Sequence, residues 1–151
     1  METCSLRQWS VSLWRVSDGS LVRKFHPDRV SAFSPGWSLL AIDSGQKVQL
    51  LRVSDGSLVG EWTAHNDYNI QDLAFSPDGN LLASVGADDI IRLWKVSDGS
   101  LVRELTGHKG VATVIFSPDG VILASWSWGG TVRLWRVSDG SLVRELEADM
   151  Y

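Results

Sequence analysis

The sequence predicts an all-β protein assembled from repeated four-stranded antiparallel units. Three observations carry that expectation. The heptapeptide VSDGSLV stands at residues 16–22 and returns letter for letter at 53–59, 96–102 and 137–143. Its Asp residues (Asp18, Asp55, Asp98 and Asp139) are separated by 37, 43 and 41 residues, a regular internal period of the kind that marks repeat architectures. A second marker keeps the same beat, as AFSPG at 32–36, AFSPDG at 74–79 and IFSPDG at 115–120. Asp-Gly marks a tight hairpin turn with positive φ angles, and Pro followed by Asp-Gly is also turn chemistry.

Short runs of strand character lie between these turns. In the last unit they read VATVIF (111–116), VILASW (121–126), TVRLWRV (131–137) and LVREL (142–146). β-Branched and aromatic residues dominate, and TVRLWRV alternates with a period of two, whereas no window supports a long amphipathic helix. Four strands joined by hairpin turns make a meander, and the chain repeats it. Complete units are expected at 26–62, 63–105 and 106–146, followed by a short tail at 147–151. Residues 1–25 hold a partial unit, whose third and fourth strands are SVSLWRV and LVRKF and in which METCS aligns with a second strand.

The Gly107-His108 pair, FSPDG, LAS and TVRLW follow one another in the last unit, and His65, FSPDG, LLAS and IRLW do so in the unit before. In this arrangement the chain resembles the WD-repeat β-propellers, whose blades are four-stranded sheets set around a channel. The resemblance makes VSDGSLV the turn from the third to the fourth strand of each blade. One departure is consistent: Arg15, Lys95 or Arg136 follows the third-strand Trp where the family has Asp. The resemblance also implies a hydrogen-bonded set of His, Ser or Thr, Asp and Trp in each blade. A buried imidazole can tie a carboxylate to a hydroxyl, and the indole N–H can donate to the same hydroxyl. One unit carries the full set as His65, Ser84, Asp88 and Trp94. The last keeps His108, Ser125 and Trp135, with Gly129 in place of Asp. The second unit matches with Ala41, Gly45 and Leu51, and the N-terminal unit offers Cys4, Gln8 and Trp14.

A catalytic or metal-binding role for His26, His65 and His108 is weaker than a structural one, because they recur once per unit and no two share a ligand spacing. No phosphate loop, nucleophile elbow or metal cluster is present in the sequence. Neither a catalytic activity nor a cofactor is expected. Among the eight tryptophans, Trp14, Trp94 and Trp135 fall at the repeated third-strand position and are expected in the core. Trp62 replaces Leu105, Trp126 replaces Val85 and Trp128 replaces Ala87. Trp128 lies in the turn between second and third strands, as a binding anchor or as a plug packed on its neighbour. Trp37 replaces a turn glycine and is expected to project from the opposite face.

A net charge of −4 with no basic stripe argues against nucleic acid. The longest uncharged stretch is too short to span a membrane, and a single cysteine fits a reducing, cytoplasmic setting. The first strand of the N-terminal blade is missing, so an apolar blade face is expected to stay bare at each end of the array. Self-association is the expected remedy. A homodimer of about eight blades is favoured, pairing the strands around Trp14 with the blade around Trp135 of another copy. The expected function is a non-catalytic scaffold for protein–protein interaction. The alternatives are a purely structural or designed self-assembling module, or a fragment of a longer propeller.

Overall fold

The computed structural model describes residues 11–25 and 31–147. The fold is all-β, and its only helical piece among the described residues is a single 3-10 turn at Pro35–Trp37. No helix among the described residues is long and apolar enough to cross a membrane. Strands β1 (Val11–Trp14) and β2 (Leu21–Phe25) form a two-stranded sheet, here blade 1. Blade 2 is β3 (Ser31–Phe33), β4 (Leu39–Ser44), β5 (Lys47–Arg52) and β6 (Leu58–Thr63). Blade 3 is β7 (Ile70–Phe75), β8 (Leu81–Gly86), β9 (Ile91–Lys95) and β10 (Leu101–Leu105). Blade 4 is β11 (Val111–Phe116), β12 (Ile122–Ser127), β13 (Thr131–Arg136) and β14 (Leu142–Glu147). Every sheet is an antiparallel meander, and the first strands β3, β7 and β11 touch in succession, which makes them the inner strands of the array.

The heptapeptide closes the hairpin between third and fourth strands with a longer loop than a two-residue turn. The Arg15 N–H donates to the Ser20 carbonyl and the Gly19 N–H to that of Arg15, so Val16–Gly19 are looped out and only Gly19 takes a positive φ, of 69°. Asp18 accepts both the amide and the hydroxyl of Ser20 through one carboxylate oxygen, at 2.9 and 2.6 Å. The same two bonds recur at Asp55, Asp98 and Asp139, which explains why Ser as well as Asp-Gly is retained in each copy. These bonds hold the carboxyls below the usual range, Asp139 at about 2. Each hairpin also shifts register where the loop begins, which offsets the fourth strand.

Each blade buries one face against the next. From blade 3, Ala83, Val85, Ile91, Leu93 and Leu105 meet Val111, Val114, Phe116, Leu123 and Trp135 of blade 4. Blades 2 and 3 meet through the equivalent Ala41, Val48 and Leu50 against Ile70, Leu73, Leu82 and Trp94. Blades 1 and 2 join through Phe25, Val11 and Leu13 against Leu40, Ile42, Phe33 and Leu51. Antiparallel alternation makes this possible, since successive side chains point to opposite faces and each sheet carries two apolar surfaces.

Two expectations are corrected here. Trp14 is not in the core: its side chain is 57% exposed, because its face of blade 1 is the one turned away from blade 2. Ala41 does not match Ser84. Ile42 lies opposite Gln49 as Ser84 lies opposite Arg92, and Ala41 belongs to the other face of the sheet. The extra residue of blade 3 sits in the β8–β9 turn, and a one-residue slip in assignment exchanges the two faces of a strand. His26, Cys4 and Gln8 lie outside the described residues.

Candidate functional site

Two arrangements stand out: a polar set inside blades 3 and 4, and the outward face of blade 4. In blade 3 the Trp94 indole N–H donates to the Ser84 hydroxyl at 2.9 Å, and that hydroxyl lies 2.9 Å from Nε2 of His65. Nδ1 of His65 lies 3.0 Å from Oδ1 of Asp88, which also accepts the Ile90 amide at 3.2 Å. Nδ1 of His65 also lies 2.6 Å from Nη1 of Arg92, so that nitrogen faces a carboxylate and a guanidinium together. His65 and Ser84 are wholly buried, and burial lowers the imidazole pKa, keeping it neutral. Burial alone would raise the Asp88 carboxyl; the Arg92 guanidinium, His65 and the Ile90 amide outweigh it and hold Asp88 ionised. Arg92 reaches Oδ2 of Asp88 at 2.7 Å and Glu104 of β10 at 2.8 Å, clamping the turn to the outer strand.

Blade 4 joins the corresponding residues differently. Trp135 donates to the Ser125 hydroxyl at 2.9 Å, but His108 meets that hydroxyl through Nδ1, at 2.6 Å. Its Nε2 is buried with no hydrogen-bond partner among the described residues. The cause is steric as well as chemical. A Cβ at Gly86 of blade 3 would run into the His65 ring, and blade 4 has Ser127 at that place. Ser127 takes over the turn bond of Asp88, its hydroxyl accepting the Thr131 amide at 3.2 Å. With Gly129 in the Asp position, Arg133 turns to the Gly107 carbonyl while keeping Glu145 on the outer strand. Arg92, Arg133 and Ser127 were missed from the sequence; the recurring Arg two residues before the third-strand Trp was the available signal for the first two.

These groups are enclosed, and their pairing is with one another. Among the described residues no group of three or more His, Cys, Asp or Glu is placed to hold a metal ion.

The outward face of blade 4 is apolar. Register fixes it: Thr113, Trp126, Val132 and Leu146 form one row across the four strands, and Ile115, Ala124 and Leu134 lie in the next. In blade 3 the equivalent rows are sealed, with Val85, Ile91 and Leu93 at 0% exposure and Leu105 at 2%. In blade 4, Ile115 is 67% exposed, Trp126 44% and Leu146 45%. Trp135 lies on the sealed side, facing blade 3, so the free surface is built around Trp126 rather than Trp135.

The other singled-out tryptophans separate clearly. Trp128, in the β12–β13 turn, is 77% exposed, which leaves its ring out of the packing expected of a plug. Trp37 adopts a φ of 62° in the β3–β4 turn, where blade 3 has Gly79 at 75°, and its half-exposed ring stacks on Phe33 with centroids 4.4 Å apart. A bulky residue in the left-handed region is strained, and the stacking offsets part of that cost. Trp62 leans on Trp94 with centroids 5.9 Å apart.

The family model described as WD domain, G-beta repeat matches residues 56–95 and 99–136, together a little over half of the chain. No curated protein matches the chain. Repeated four-stranded meanders, blade-on-blade packing and a matching repeat model agree, and the chain belongs to the WD40 repeat family.

Proposed function

We propose that the protein is a non-catalytic interaction scaffold, and that its first partner is a second copy of itself. The observation that carries the reading is the bare face of blade 4. It has the same register and much the same composition as the blade 3 face that is sealed by its neighbour. A surface that is an interface at every internal junction is best satisfied by another blade of the same kind. Blade 1 offers the complementary side, where Trp14 stands exposed at the position that Trp94 and Trp135 fill in buried junctions. Head-to-tail contacts close into a ring when the rotation allows, and two copies give about eight blades. The rim would then serve other proteins, with Trp128 as an aromatic anchor at one edge and Trp37 at the other. A single cysteine suits a cytoplasmic setting.

Sedimentation of the parent chain and of Val132→Asp tests this. An assembled parent and a variant that is monomeric or aggregates support the reading, because a carboxylate in that row has no partner to offset its burial. Trp128→Ala should leave assembly unchanged. A parent that sediments as a monomer at micromolar concentration contradicts it.

A further inference from the structure

The blade junctions contain a repeated arginine clamp. At the junction of blades 1 and 2, Arg23 of β2 donates to the Ser54 carbonyl in the next blade's heptapeptide loop, at 3.1 Å. At the junction of blades 3 and 4, Arg103 of β10 donates from its two terminal nitrogens to the Ser138 and Asp139 carbonyls, each at 2.8 Å. Its stem lies against Gly140, where a Cβ would collide with it. Both arginines occupy one strand position, opposite Leu13 and Leu93 respectively.

The junction of blades 2 and 3 lacks the clamp. Gly60 lies opposite Leu50, in the arginine's place. The Trp62 ring leans over Gly99 and takes the room of the missing stem, but no side chain among the described residues donates to the Ser97 or Asp98 carbonyl. A cavity of about 140 Å³ remains, lined by Gly60, Glu61, Trp62, Ser97, Asp98 and Gly99 among others. Its lining joins the Trp62 indole and the apolar Leu50, Val59 and Val96 to the carboxylate-bearing Glu61 and Asp98. Glu61 is engaged by Lys47 and Gln49, and the exposed Asp98 directs one oxygen to Ser100.

We propose that this cavity is a binding site for the guanidinium of an arginine side chain carried by a partner protein. The chain itself supplies the template, because the same loop, with the same Ser-Asp-Gly sequence, receives a guanidinium at both flanking junctions. Two converging carbonyls favour a planar fork over the single ammonium of lysine, and the indole adds a cation–π contact. The site depends on the blade 2–blade 3 junction alone, so it stands or falls independently of self-association.

The experiment is titration of the ¹⁵N-labelled chain with N-acetyl-arginine amide, read at the Trp62 indole resonance, which is assigned by its loss in Trp62→Phe. A saturable shift in the millimolar range is expected, several-fold weaker for N-acetyl-lysine amide and absent for the neutral citrulline analogue. Gly60→Arg, whose stem must displace the Trp62 ring, should place its own guanidinium in the cavity and abolish the shift. Gly60→Leu, which blocks the cavity without a charge, should abolish the shift too and serves if the arginine variant does not fold. No saturable shift in the parent, an equal response to citrulline, or binding that survives in either Gly60 variant would overturn the proposal.

Discussion

Blades 3 and 4 share the FSPDG, RLW and VSDGSLVREL segments and part company in two structural respects. Blade 3 is covered on both faces and carries the unbroken chain Trp94, Ser84, His65, Asp88, Arg92. Blade 4 has one face bare and a histidine whose second nitrogen is unpaired among the described residues. The polar difference traces to two residues acting together. Gly86 leaves space for the imidazole and Asp88 receives it; Ser127 fills the space and Gly129 removes the receiver. The complete hydrogen-bonded set thus occurs where a steric slot and a carboxylate coincide.

The largest effect is expected from Asp88→Ala. It strands buried His65 and removes the turn bond to Ile90 and the anchor of Arg92, costing about 1–3 kcal/mol. A melting temperature equal to the parent's would show that the chain of bonds is not structural. Next in size is the conversion of blade 4 to the blade 3 pattern. Ser127→Gly with Gly129→Asp should stabilise by about 1 kcal/mol, while each single change gives nothing or a loss, so that the pair is strongly coupled in a double-mutant cycle. Additive single effects would break the steric explanation.

The pH dependence is smaller and has a definite sign. Both histidines are held neutral, His65 chiefly by burial and His108 by burial and the nearby Arg133, so their folded pKa values lie below the unfolded value of about 6.5. The unfolded chain then binds more protons as pH falls through that value, and stability declines from neutral pH downward. Asp88 is lowered instead, and its contribution persists until strong acid protonates it. His65→Gln should flatten the decline near pH 6; an unchanged slope would assign it to other groups.

Much of this was legible in the sequence because turns are local. VSDGSLV and FSPDG set the hairpins, and their period set the number of sheets. What was not legible depends on register and contact. Ile42 could be told from Ala41 only by where the shortened β4–β5 turn absorbs its missing residue. The His108 ring takes its other orientation where Ser127 replaces the glycine of blade 3, a full hairpin along the chain from it. Trp14 carries the same local signature as Trp94 and Trp135, yet its exposure is decided by the absence of a neighbour on that side among the described residues.

The central claim is that one face of the sheet is an interface at every blade, blade 4 included. The melting temperature as a function of protein concentration tests it most directly, since linked folding and assembly make it rise with concentration. A rise in the parent, lost in Val132→Asp, is the predicted result. A well-folded monomer with a concentration-independent melt would contradict the account.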